Sequence, residues 1–276
     1  MTELLEKNHS AWHLKEIDFG AIRKDLVRDD DHLFYLLASA SFVEILSELY
    51  AKNLIDHYQG DAELVTWLEQ RWQREEVQHG NAFKAYVQAV WPEFDWERAY
   101  ADFATEYATI CTAEELQPSQ ALEMVARCVV EVGTASFYQS LHHYTREPVL
   151  RQLLANIKAD EVRHFTKFRH HFKEYNRTEG NGAWRVGRAM WHRMLDIRAE
   201  DSYIAFKHVY AQRNPGLVFH DQIWQKFLKR LNLLAHVNYP YRMAVEMLLS
   251  PLSLPVALKR LMRPPLIFLA RFAMFK

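Results

Sequence analysis

Two short segments of this chain repeat each other: Glu75-Glu76-Val77-Gln78-His79 and Asp160-Glu161-Val162-Arg163-His164. Each is an acid followed by Glu-x-x-His, and each sits in a stretch of helical patterning. Positions i and i+3 of an α-helix project from nearly the same face, so each Glu stands beside its His. A further glutamate precedes each motif by about one helix hairpin. Glu44 lies 32 residues before Glu76, and Glu131 lies 30 residues before Glu161. A fold that uses all six side chains together must converge four helices on one point.

The rest of the chain is compatible with long helices. Only 8 Gly and 9 Pro punctuate 276 residues, and four of those prolines fall after residue 250, so a turn-rich β protein is not expected. With 49% hydrophobic residues the core can be sizeable. The net charge of −1 advertises no nucleic-acid partner. Cys111 and Cys128 form neither a metal-ligand nor a redox spacing, which fits a reducing compartment. The polar N-terminus lacks an apolar signal core, and no run approaches the roughly 20 apolar residues of a membrane span. The expected location is cytoplasmic.

Along the chain, Asp29-Asp30-Asp31 offers caps for a helix to about Tyr58, and Gly60-Asp61 separates it from a second over 62–90. A connecting helix is expected over 96–115. Ser119 then caps a third long helix to about Thr145, and Glu147-Pro148 opens a fourth that ends near Tyr175. Residues 176–182 read as a linker, and 183–248 as two helices broken around Asn214-Pro215-Gly216. The expected fold is therefore all-α. Residues 1–180 form a four-helix bundle of two hairpins joined by a long crossover. Residues 181–276 form a helical extension with a basic amphipathic tail, packed on the bundle or in a homodimer interface.

Glu76 with His79, and Glu161 with His164, are metal-ligand pairs in this reading, completed by Glu44 and Glu131. Mixed carboxylate and imidazole donors suit iron, with manganese possible. Four carboxylates offset the charge of two divalent cations, which makes burial tolerable. A metal-bound His usually donates its other N–H to a carboxylate. Asp160 is expected to serve His79 in this way and Glu75 to serve His164, each across the site. A single Glu-x-x-His is weak evidence, because such pairs mostly decorate solvated faces. Glu44 is preferred to Glu48 because Phe42, Val43, Ile45 and Leu46 surround it. Glu131 is likewise a lone charge among Val129, Val130 and Val132. The pairs His142-His143 and His170-His171 read as helix-end or solvent residues, and Trp67, Trp72, Trp91 and Trp96 as packing residues.

With these residues in view, the chain resembles the ferritin-like di-iron carboxylate superfamily, and within it the soluble acyl carrier protein desaturases. Trp72-Gln73-Arg74-Glu75-Glu76-Val77-Gln78-His79-Gly80 is similar to their Trp-x-x-Glu-Glu-x-x-His-Gly stretch. Ala159-Asp160-Glu161-Val162-Arg163-His164 is similar to their Ala-Asp-Glu-x-Arg-His. Glu44-Ile45-Leu46 matches their first-helix Glu, and Glu131 with Thr134 matches a Glu and an oxygen-site Thr. The resemblance spans residues 30 to 175.

It implies a ferritin-like bundle holding two Fe ions, with Thr134 as a hydrogen-bond donor at the oxygen site. The implied activity is that of an O2-dependent oxidoreductase that desaturates or hydroxylates an apolar substrate such as a fatty acyl chain. Gly133, Ala135 and Ser136 would leave room beside the metals or serve close helix packing. The implied partners are an electron donor, such as a ferredoxin or flavoprotein reductase, and an acyl carrier protein. Alternatives are a di-iron N-oxygenase, which adds a His at the position of Ile157, and a ferroxidase or iron-binding protein. The tail from Pro251 onward mixes apolar residues with Lys259, Arg260, Arg263, Arg271 and Lys276. It has four candidate roles: a peripheral membrane contact, a cap on the bundle, a dimer contact, or docking of an acidic carrier protein through Lys259, Arg260 and Arg263.

Overall fold

The computed structural model describes residues 12–110, 116–196 and 200–273. Among them every regular element is helical and none is a strand. Three short 3-10 turns between Leu14 and Ala21 and at Lys24–Leu26 lead into α1 (Asp31–Ile45) and α2 (Ser47–His57). Asp30 accepts a hydrogen bond from the Leu33 N–H, pairing a donor that the helix start would otherwise leave open. The single helix expected over 31–58 is divided at Leu46, where ψ rises to 1° two residues after Glu44.

The second expected helix is one rod with an irregular middle. α3 (Ala62–Trp67) and α4 (Gln73–Val90) are joined by a π-helical segment, Leu68–Trp72. Such segments are rare and often accompany functional sites. This one rotates the face presented by α4 just before Glu75 and Glu76. α5 (Trp96–Tyr107) connects the two halves, and residues 111–115, where the sequence reading placed its end, lie outside the described residues.

α6 (Gln120–Tyr144) begins with Ser119 Oγ accepting from the Leu122 N–H at 3.1 Å. α7 (Pro148–Glu179) begins with the Glu147 carboxylate accepting from the N–H groups of Val149 and Leu150. It runs through Asn176–Glu179, which the sequence reading gave to a linker. Asn176 clasps Asn181 through two hydrogen bonds, and Gly180 takes the left-handed φ of 66° that ends the helix.

Four helices occupy 183–249 where two were expected: α8 (Ala183–Asp196), α9 (Glu200–Arg213), α10 (Asp221–Asn238) and α11 (Tyr241–Leu249). Pro240 accounts for the last break, since it lacks an N–H and holds Tyr239 extended at ψ 133°. The break between α8 and α9 falls on 197–199, outside the described residues. α12 (Val256–Ala273) follows, with Pro264 and Pro265 inside it.

α1 lies along α4, and α6 along α7. Gly80 permits the first approach, because a Cβ there would stand 2.5 Å from Ile45 Cγ1 and 2.9 Å from the Ser41 carbonyl. The extension shares the cores of these helices. Ile204, Val209 and Leu234 join Phe34, Phe83 and Leu150 in one cluster, and Val186, Met190 and Ala244 join Trp72, Val125 and Phe168 in a second. By length and hydropathy, Asp31–His57 is the one described helical stretch that could cross a membrane. Most of its apolar window, 61%, is buried inside the protein, against α4, α5 and α9.

Candidate metal centre

α1, α4, α6 and α7 each turn polar side chains into the buried interior. Glu44, Glu76, His79, Glu131, Glu161 and His164 are all at most 5% exposed. One donor atom each from Glu44, Glu76, His79 and Glu161 lies within 4.8 Å of the others, and the same holds for Glu76, Glu131, Glu161 and His164. Glu76 and Glu161 belong to both groups, so the two donor sets adjoin through shared carboxylates. His79 Nδ1 is 3.2 Å from Glu161 Oε1 and 3.9 Å from Glu76 Oε2. His164 Nδ1 is 3.1 Å from Glu76 Oε1 and 3.5 Å from Glu131 Oε2.

The outer nitrogens of both imidazoles meet acids from the opposite helix. His79 Nε2 is 2.9 Å from Asp160 Oδ2, and His164 Nε2 is 2.7 Å from Glu75 Oε2. A carboxylate can only accept, so each Nε2 carries a hydrogen and each Nδ1 faces the glutamates. Arg163 pairs with Asp160 and stands 3.6 Å from Glu75, tying the two acids together from the protein's outer side. Thr134 Oγ1 has its shortest contact, 2.7 Å, to Glu161 Oε2, ahead of the carbonyls of Glu131 and Val130.

Burial, followed by the neighbouring Glu76 and Glu161 charges, holds the Glu44 carboxyl well above its ordinary range. Burial likewise pushes Glu131 up to about 8, and burial together with the Glu161 charge raises Glu76. Burial alone would depress both imidazoles. It is outweighed by the acids gathered around each ring, Asp160 and Glu161 at His79 and Glu131, Glu75 and Glu76 at His164, so both sit well above the usual histidine range. The interior thus holds more carboxylate than its own cations neutralise, and it retains protons to compensate.

Four buried atoms of this cluster lack a hydrogen-bond partner: His79 Nδ1, His164 Nδ1, Glu131 Oε2 and Glu161 Oε1. Buried polar atoms are nearly always paired. All four belong to the two donor sets, and a divalent cation would satisfy them while replacing the retained protons. The residues fit a metal.

All eight metal-site residues named from the sequence, with Thr134, are brought to this one cluster. Glu48, the rival to Glu44, is exposed. Ile157 is fully buried in the apolar core and offers no donor. Gly133 is exposed with open space where a Cβ would be, so it serves neither packing nor the site, whereas Ala135 and Ser136 are buried. His171 is buried, since α7 continues past it and it is no helix-end residue. Cys128 is buried with Sγ directed at the Phe165 carbonyl, and Cys111 lies outside the described residues.

Three aromatic partners of the cluster escaped the sequence reading. Trp12 Nε1 donates to Asp160 Oδ2 at 2.7 Å, and its ring lies parallel to that of His79 with centroids 6.2 Å apart. Tyr138 Oη donates to Glu44 Oε1. Trp72, expected only to pack, also donates to Glu131 Oε1 at 3.3 Å. Tyr138, seven residues after Glu131 and so two helical turns on, carried a spacing signal. Trp12, 148 residues from Asp160, carried none. No known protein-family model matches the chain, and no curated protein matches it.

Proposed function

We propose that the chain is a ferritin-like di-iron oxidoreductase, similar to the soluble acyl carrier protein desaturases, that uses O2 to desaturate or hydroxylate an apolar substrate such as a fatty acyl chain. The observation that carries this reading is the pair of adjoining buried donor sets sharing Glu76 and Glu161. Iron held there would supply the redox and oxygen chemistry. Glutamate and imidazole donors without a thiolate favour iron or manganese over softer-ligand metals.

The chain's own residues orient and insulate. Asp160 and Glu75 fix the two imidazoles, and Thr134 and Tyr138 hold one oxygen each of Glu161 and Glu44. Phe83, Phe168, Trp72 and Val132 belong to the buried cores, keeping water from the cluster. Trp12, Asp160 and His79 form a hydrogen-bonded chain into the cluster, which supports delivery of electrons from an external donor such as a ferredoxin or flavoprotein reductase.

An anaerobic ferrous titration of metal-free protein tests the reading. It should saturate near two irons per chain, the complement of a Glu and Glu-x-x-His set of this kind. Exposure to O2 should then give a transient visible band, and acyl thioesters should be converted when a reductant is supplied. Uptake continuing far past two would move the protein to iron storage or ferroxidase activity. No specific uptake would remove the metal reading altogether.

A further inference from the structure

The face that α12 turns to solvent is apolar. Ala257, Leu261, Pro264, Pro265, Phe268 and Phe272 are exposed and recur at three- and four-residue steps, which places them on one stripe. Leu261 is 74% exposed, Phe268 61% and Phe272 55%. The helix packs chiefly on α11, leaving the stripe open.

Every charge on the described part of this tail is basic: Lys259, Arg260, Arg263 and Arg271. Arg260 and Arg271 border the stripe, whereas Lys259 and Arg263 lie on the side of the helix turned to the protein. Arg263 reaches Glu246 at 3.0 Å and Arg271 stands 5.4 Å over the Tyr241 ring, so the inner edge of the helix is fastened to α11 by its cations. Arg260 is exposed. Four cations in about 27 Å of helix do not cross a bilayer, but they suit a helix lying in its interface.

We infer that α12 docks the protein on an anionic membrane surface, with Leu261, Phe268 and Phe272 entering the acyl boundary and Arg260 among the lipid phosphates. The arrangement discriminates against other occupants. A second copy meeting this face across a two-fold axis would bring a second exposed Arg260 and no acid from α12 to answer either one. An acidic carrier protein would engage the cations and leave the apolar stripe in water. An anionic bilayer takes up both features at once.

Co-sedimentation of the full chain with vesicles tests this, using phosphatidylcholine alone and phosphatidylcholine with phosphatidylglycerol. Binding is expected only with the anionic vesicles and should weaken as salt rises. Leu261→Asp and Phe268→Asp, both at exposed positions, should each lower partitioning about tenfold or more with unchanged circular dichroism. Arg260→Glu should lower it about fivefold. Three results would overturn the inference. One is absence of vesicle binding, and a second is binding that ignores the substitutions. The third is a dimer, or a complex with acidic acyl carrier protein, that the same substitutions dissolve while vesicles go unbound.

Discussion

His79 Nε2 and Asp160 Oδ2 lie 2.9 Å apart although they belong to different Glu-x-x-His helices, and His164 and Glu75 repeat the relationship in reverse at 2.7 Å. Each motif therefore orients the imidazole of the other. The acid before each Glu does not serve its own helix, because side chains at i and i+4 of one helix cannot place a carboxylate behind a His that faces inward. The geometry makes α4 and α7 a reciprocal pair, and loosening one acid disturbs the donor set centred on the opposite helix.

Asp160→Ala should therefore weaken metal binding at the His79 side about 10- to 100-fold, the usual cost of losing an orienting carboxylate. Glu75→Ala should do the same at the His164 side. Metal content after dialysis against graded chelator, with circular dichroism as the folding control, separates affinity from stability. Undiminished affinity in both variants would show that the acids merely neutralise charge.

Glu44→Gln should stabilise the metal-free protein while costing it metal. Burial, then the like charges of Glu76 and Glu161, hold this carboxyl well above its ordinary range. An amide of the same shape removes that penalty, so thermal unfolding in chelator should shift upward by about 1 kcal/mol. Metal stoichiometry should fall below that of the wild type. A metal-free variant less stable than its parent would mean that the Glu44–Tyr138 hydrogen bond outweighs the repulsion.

The site was legible because its logic is local. Glu76 with His79 and Glu161 with His164 are fixed by three-residue spacing, and Glu44 and Glu131 stood out as charges in apolar runs. Partners set by tertiary packing were not legible in the same way: Trp12 reaches Asp160 across 148 residues. The helices were legible where Asp30, Ser119 and Glu147 cap them. Their breaks were less so, because the turn at Leu46 and the π segment at Leu68–Trp72 have no Gly or Pro to announce them. The linker over 176–182 looked polar enough to be a loop, yet Asn176 and Gly180 use that polarity to finish a helix.

Gly80→Ala should destabilise the fold by about 1–3 kcal/mol, since the new methyl would meet the Ile45 backbone nitrogen at 2.7 Å and the Ser41 carbonyl at 2.9 Å. Backbone atoms cannot swing aside, so α1 and α4 must part. Gly133→Ala is the control. Nothing lies within 4 Å of its Cβ position, and alanine favours a helix, so stability should rise by about 0.5–1 kcal/mol. Equal effects at the two positions, read from thermal unfolding, would contradict the close approach at Gly80.

His32 gives the fold a dependence on pH that is separate from the metal centre. It is 3% exposed on α1, its ring meets Phe227 of α10 at 4.9 Å, and its Nε2 has no partner. Burial, then the charge of Arg230, push it down to about 4, with Asp30 opposing in part. The folded state therefore keeps this ring neutral where the unfolded chain protonates it. Its contribution is present in full above the unfolded pKa of 6.5 and is lost progressively as pH falls towards 4. The depression corresponds to at most about 3 kcal/mol. His32→Leu removes the titration while keeping an apolar fit against Phe227, and every other acid and base stays the same in both proteins. Urea unfolding between neutral pH and pH about 4.5 should show wild type losing on the order of 1–3 kcal/mol more than the variant. Parallel curves would mean that the imidazole accepts its proton in the folded protein without cost.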